Sequence, residues 1–346
     1  MSTSSEQSQV TDGSPASAPA KGPRVGAGAA RGASAQVLIE RYALVGLLVL
    51  LFAVSALFLE GFRSVAVIQA MVNSQAIVLL LALAATVVLR TGDFDLSIAS
   101  VMVASAATVA VLSEKGAGPA VAILAALAMG VLVGMVNALL VVGVGVDSFI
   151  TTLGMFTAFT GAAYAITDSR VVVGVPDLFV ELSRAKLLGL PMTTWYAWIL
   201  VAVLWYVYER TPLGRYLLFI GGNRDSARLA GINVGRIRTG AFVVSGLMAS
   251  VIGILLVGNL GAIDPSIGNQ YLLSPFAAVF LGATTITVGR FNALGTMVAL
   301  YLLVVGITAL QLMGAQSWVN NVFNGVALML AVALARLAGR RSGERS

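Results

Sequence analysis

Ten stretches of apolar residues, near 42–59, 65–89, 95–113, 119–143, 149–167, 194–208, 239–259, 273–289, 293–312 and 318–336, follow one another with short polar breaks. A helix needs about 20 apolar residues to cross the hydrocarbon of a bilayer. Inside it, every backbone N–H and C=O has to find its partner within the protein. The pattern predicts an all-α polytopic membrane protein with about ten transmembrane helices. Composition agrees: only 10% of the 346 residues are charged and mean hydropathy is +0.94, where a soluble domain carries roughly 25% charged residues. The sixth run is short for a span. Trp195 and Trp198 at one end, with Tyr206 and Tyr208 at the other, suit the two interfacial belts.

The net charge of +6 would fit nucleic acid as a partner, but its distribution argues against that. Placing the N-terminus inside leaves only Arg63, Lys115, Arg170, Arg184 and Lys186 outside, of 21 Lys and Arg. The positive-inside rule favours this orientation, with both termini cytoplasmic and an even number of spans. Five runs precede the outer connection at 168–193 and five follow it, so the second half runs inverted to the first, a common transporter plan. Residues 1–36, rich in Ser, Ala, Gly and Pro, read as a disordered cytoplasmic tail. The first apolar run starts too late for a signal peptide. Residues 37–338 form the membrane domain, and 339–346 a basic cytoplasmic tail.

The chain has no cysteine and no histidine. That removes Cys and His nucleophiles, thiolate zinc sites and disulfides. No metal or acid–base constellation stands out, so an intramembrane enzyme is a poor reading. Polar residues within apolar runs are the informative ones. Asp93 and Asp95 are carboxylates beside an apolar run, which is costly and usually functional. Either they cap the third span next to Arg90, or they sit with Gly92 and Ser97 at a broken helix on a solute path. Asn73 and Gln75 interrupt the second span and either line that path or bond a neighbouring helix. Asn137 reads as a bond between helices. Gly130-x-x-x-Gly134 allows close helix packing, internal or between copies.

The longest polar stretch inside the membrane domain, 209–238, faces the cytoplasm. Asn223 can cap a short helix that Gly231 stops. Ala227 and Ala230 are small enough for another protein surface to approach. The segment is either a docking loop or a solvated basic linker. Gly222-Asn223, Ala227 and Gly231-Ile232-Asn233-Val234 resemble the coupling loop of permease subunits from ribose-, xylose- and arabinose-type ABC importers. Three further segments resemble the same family: Thr91-Gly92-Asp93-Phe94-Asp95-Leu96-Ser97, Phe149-Ile150-Thr151-Thr152-Leu153-Gly154, and Gly134-x-x-Asn137-Ala138-x-Leu140. The likeness runs in order over roughly 40–338. It departs at Asp93, where the family usually has glycine, and at Val288-Gly289-Arg290-Phe291, where it has a glycine-rich loop.

The resemblance implies the transmembrane subunit of an ATP-driven importer in the bacterial inner membrane, moving a small polar solute, a monosaccharide before others, by alternating access. It implies three partners: a cytoplasmic ABC ATPase, an extracytoplasmic solute-binding protein and a second permease copy as a homodimer. The chain lacks the Gly-x-x-x-x-Gly-Lys-Ser/Thr motif, so it is not itself the ATPase and binds no cofactor. ATP and magnesium belong to the partner. Asn73, Gln75, Asp93, Asp95, Ser97 and Thr152 are the expected path residues. Arg215, Asn223, Ala227, Arg228, Gly231, Ile232 and Asn233 are the expected ATPase-coupling residues. An ion-coupled transporter is the runner-up, but it needs intramembrane ionisable residues that the second half almost lacks. Nucleoside and branched-chain amino acid permeases are the alternatives within the family.

Overall fold

All ten apolar runs form helices. The structure, a computed structural model, describes residues 27–343, with side chains from 41 to 333. Most of the expected N-terminal tail and the last three residues lie outside the described residues. The chain divides into Met1–Ile39 and Glu40–Ser346. Within the first unit the described backbone is already helical, as the start of α1 (Ala27–Phe58). The second unit holds all the other elements.

The second run is one span interrupted at Gln75, giving α2 (Val65–Ser74) and α3 (Ala76–Leu89). Next come α4 (Ile98–Glu114), α5 (Pro119–Ala138) with a π-helical turn at Leu139–Val144, and α6 (Ser148–Ile166). The first polar connection holds a short helix, α7 (Asp177–Arg184). After α8 (Met192–Arg210), the long polar stretch folds into α9 (Pro212–Gly222) and α10 (Arg224–Leu229). The chain closes with α11 (Val234–Leu260), α12 (Gln270–Gly282), α13 (Ala293–Leu312) and α14 (Trp318–Gly343). Among the described residues, 6 helices are long and apolar enough to cross a membrane, with shorter apolar helices at Ile98–Glu114 and Trp318–Ala333. The eighth run is cut short: α12 stops at Gly282. The next residues turn back, with Ile286 and Gly289 at positive φ, because the Ile286 N–H and Thr285 hydroxyl bond to the carbonyl of Arg41 instead of extending the helix.

Burial places α3, α4 and α11 at the centre. Every residue of α3 is buried, and α4 is apolar on all sides, as expected for a helix surrounded by other helices. Between apolar helices in lipid, packing relies on close approach of small residues. A Cβ on Gly130 would collide with Ser250 and one on Gly134 would lie 2.6 Å from the carbonyl oxygen of Phe242, while a Cβ on Gly253 would strike the carbonyl of Met102. The Gly130-x-x-x-Gly134 face is thus an internal α5–α11 contact. Ser105 and Ser250 bond across α4 and α11 at 2.8 Å.

The packing pattern repeats along the chain. Helix α4 packs on α5, α6 and α11; α12 packs on α13, α14 and α3; and α3 meets α11. Two small ribbons lie in the connections. Strand β1 (Val172–Val173) pairs antiparallel with β4 (Ala262–Ile263), and β2 (Lys186–Leu187) with β3 (Leu190–Pro191).

Candidate coupling site at a broken helix

Helix α3 ends at a turn that glycine makes possible. Gly92 has φ +77, a left-handed conformation that only glycine adopts without strain. The site of its missing Cβ is 3.6 Å from Gly221 on α9. Gly221 is also a close approach, since a side chain there would collide with the carbonyl of Arg90. The α3 turn and the end of α9 are therefore in backbone contact.

Three successive side chains then leave the turn in three directions. Asp93, 2% exposed, points to the polar connection. Its Oδ2 accepts from Arg238 Nε at 2.7 Å and from the Thr91 hydroxyl at 3.1 Å. Its Oδ1 accepts from Arg238 Nη2 at 2.8 Å and Arg224 Nη2 at 2.9 Å. Arg224 also donates to the Gly92 carbonyl at 3.2 Å. A buried carboxylate is tolerated when its lone pairs are met by donors and its charge by opposite charge, and here three arginine bonds and one hydroxyl bond do so. Phe94 points to an apolar cavity of about 490 Å³, lined by Phe94, Phe149, Phe276 and Phe280 with Leu328 and Val332 of α14. Its ring meets Phe149 edge-on and stacks on Phe280.

Asp95, 1% exposed, points into the bundle. Its Oδ1 accepts from the Ser97 N–H at 3.1 Å and from the Ser97 hydroxyl, and its Oδ2 from Ser245 of α11 at 2.7 Å. Asn137 of α5 donates to Ser97 at 2.9 Å. The start of α4 is thereby tied to α5 and α11. On α6, Ser148 accepts from the Phe94 N–H at 3.1 Å, and Thr152 donates back to the Ser148 carbonyl at 2.7 Å.

Of the expected path residues, then, Asp93, Asp95, Ser97 and Thr152 gather at this break. Asn73 and Gln75 sit at the interruption between α2 and α3. Asn73 accepts a bond from Thr194 of α8 at 3.1 Å, so it joins two helices, and Gln75 is half-buried.

The connection beside the break is ordered as its sequence predicts. Asn223 accepts from the N–H groups of Asp225 and Ser226 at 3.0 and 2.9 Å, and Gly231 ends the turn at φ +80. Asn233 caps α11 through the Arg236 N–H. Arg215 and Arg228 are exposed, the latter paired with Asp225 at 3.0 Å. Ala227 differs from expectation. It is fully buried against Ile220 and Val234, with Ile232 packed beside them. Its small size serves the loop's own packing and leaves no methyl face for a partner. The outward residue is Leu229, 91% exposed at the tip of α10.

Behind the loop, Arg90 acts as a clamp. It donates to the Phe291 carbonyl at 2.6 Å, and its guanidinium lies 4.1 Å from the centre of the Tyr208 ring. The sequence reading missed Arg224 and Arg238 because it counted them as solvated positive-inside charge, and it set Arg90 beside the aspartates, whereas Arg90 bonds the Phe291 carbonyl. Arg238 did carry a signal, since it stands at the very start of an apolar run.

The family described as "branched-chain amino acid transport system / permease component" matches residues 67–332. The ribose import permease protein RbsC of Escherichia coli (strain K12) is 32% identical over 299 residues, covering 85% of this chain and 93% of that protein. The ribose import permease of Bacillus subtilis (strain 168) is 31% identical over 296 residues, covering 84% and 91%. An autoinducer 2 import system permease, LsrC of Yersinia pseudotuberculosis, is 28% identical over 279 residues, covering 81% and 80%. No solved structure matches the chain. A bundle of apolar helices with an ordered polar connection, matched to this family over most of its length, belongs to the permease subunits of ABC importers, and the chain is a member of that family.

Proposed function

We propose that the chain is the transmembrane subunit of an importer that moves a monosaccharide into the cytoplasm, with α9 and α10 as the element that receives a cytoplasmic ATPase. The observation that carries this is the polar connection itself: a capped six-residue helix held against the α3 turn, presenting a bare leucine. A single exposed leucine is ordinary on a surface. At the tip of the longest inner connection it is a fitted knob for a partner. Leu229→Asp is expected to insert normally and lose co-purification with the ATPase subunit. Wild-type association would remove α10 as the docking element.

The sugar rests on relatives named as ribose permeases. Uptake of labelled pentoses and hexoses into proteoliposomes holding the ATPase and solute-binding protein tests it, and uptake of leucine instead would overturn it. ATP and magnesium bind the ATPase, and this chain converts their turnover into alternating access as one of two identical permease copies. The path passes the two helix interruptions. Asn73 and Gln75 contribute side chains to it, while Asp95, Ser97 and Thr152, already bonded to one another or to backbone, set the shape of its wall.

All ten runs cross the bacterial inner membrane, with α9, α10 and both termini in the cytoplasm. The two inverted halves have support beyond run counting. Exchanging α3–α6 with α11–α14 preserves the pairings of α4 with α5, α6 and α11 as those of α12 with α13, α14 and α3. Gly92-x-x-Asp95-x-Ser97 after α3 recurs as Gly261-x-x-Asp264-x-Ser266 after α11. The chain has no native cysteine, so single cysteines report topology directly. Leu188→Cys, at an 83% exposed position, should react from outside and Ser226→Cys only from inside. The reverse would overturn the ten-span arrangement.

A further inference from the structure

Asp93 and the two arginines on it connect the polar loop to the interior of the bundle. Arg224 belongs to α10, Arg238 to the first turns of α11, and Asp93 to the turn that ends α3. Two residues later, Asp95 is bonded to α11 and, through Ser97, to α5. A displacement of α10 therefore reaches α3, α4, α5 and α11 through the Gly92–Ser97 turn with no flexible segment between. The turn is held in place, because Gly221 lies close against the Arg90 carbonyl beside it and both carboxylates have all their oxygens bonded.

The two arginines are not equivalent. Arg238 is 8% exposed at its side chain and makes a bidentate pair. Arg224 is 37% exposed and makes one bond to the same carboxylate. Arg238 with Asp93 is thus a fixed internal pair, and Arg224 is the member that can leave while Asp93 stays neutralised. Arg224 also grips the Gly92 carbonyl, so the contact holds backbone as well as charge.

We propose that the Asp93–Arg224 ion pair is the joint through which motion of α10 enters the membrane helices, and that Arg224 acts as a positioning residue through Asp93 and not by touching solute or nucleotide. This rests on α9–α10 being the ATPase-receiving element. Fixed networks with two arrangements carry coupling between distant sites, commonly within a 5- to 150-fold range. The joint would be made in one state and broken or re-aimed in the other.

The test uses the whole importer in nanodiscs or proteoliposomes, reading ATPase co-purification, ATP hydrolysed and solute moved per ATP. Arg224→Gln leaves Asp93 on Arg238, so the fold is retained. The ATPase should co-purify and hydrolyse, while solute moved per ATP falls about tenfold. Arg224→Lys, which still reaches the carboxylate, should keep most of the ratio. Arg224→Glu should lower the ratio further. Adding Asp93→Asn to Arg224→Glu should restore part of it, because the like-charge repulsion is gone and the new carboxylate can neutralise Arg238. A wild-type ratio in Arg224→Gln would overturn the joint. So would a defect in Arg224→Glu that Asp93→Asn leaves unrelieved, because Arg224 would then act directly on the ATPase. Failure of the underlying reading looks different: there, Leu229→Asp would leave ATPase association intact.

Discussion

The turn after α3 and the turn after α11 are built to one local plan and put to opposite uses. Both begin with a left-handed glycine, Gly92 at φ +77 and Gly261 at φ +70. Both place an aspartate three residues on, accepting the N–H of a serine two further: Asp95 from Ser97 at 3.1 Å, Asp264 from Ser266 at 2.8 Å. In both, an arginine from a nearby short helix bonds a backbone carbonyl at or just before the glycine, Arg224 to Gly92 and Arg184 to Asn259. The difference lies in the residue after the glycine. The first turn has Asp93, buried and bonded to two arginines. The second has Ala262, which pairs in a ribbon with Val173. Asp95 is buried and tied to α11, whereas Asp264 is exposed and its N–H bond holds its carboxyl below the usual range. The same turn is a strut where charge is buried beside it and a simple reversal where it is not.

Three substitutions probe that contrast. Asp93→Ala should have the largest effect, because it leaves Arg238 buried without its carboxylate; breaking a buried pair costs about 3–5 kcal/mol. A thermal unfolding scan of the purified protein should show a clear loss, and an unchanged midpoint would mean the ion pairs contribute nothing to the fold. Asp95→Ala should come second. It orphans the Ser97 and Ser245 donors, at about 1–3 kcal/mol, and should impair uptake while membrane insertion and ATPase association survive. Uptake at the normal rate would reduce Asp95 to a helix cap. Asp264→Ala should be smallest, at about 1 kcal/mol or less for the loss of an exposed capping bond, with uptake retained. A loss matching that of Asp95→Ala would show the two turns to be functionally alike and would collapse the comparison.

Local features of this fold were legible from residue order. The ten helices follow from apolar runs that have no other way to satisfy their backbones. The Asn223 and Gly231 boundaries of α10 follow from capping and positive-φ chemistry that needs only neighbours in sequence. Direction was harder to read. Ala227 reads as a contact face from its size and spacing, yet it points inward, because a six-residue helix buries whichever side its tethers turn to the bundle. Gly130 and Gly134 suit internal packing first and dimerisation second, and the decision lies with Ser250 and Phe242, more than a hundred positions away.

By itself the sequence determined the class of protein, its helices, the short helix of its polar connection and the family it resembles, since hydrophobic period, caps and motifs are properties of adjacent residues. Only the tertiary structure decided that Asp93 meets Arg224 and Arg238, at separations of 131 and 145 residues. A carboxylate beside an apolar run shows that a partner must exist, because burying it alone is prohibitive. Which arginine answers is set by how α9, α10 and α11 pack against the end of α3.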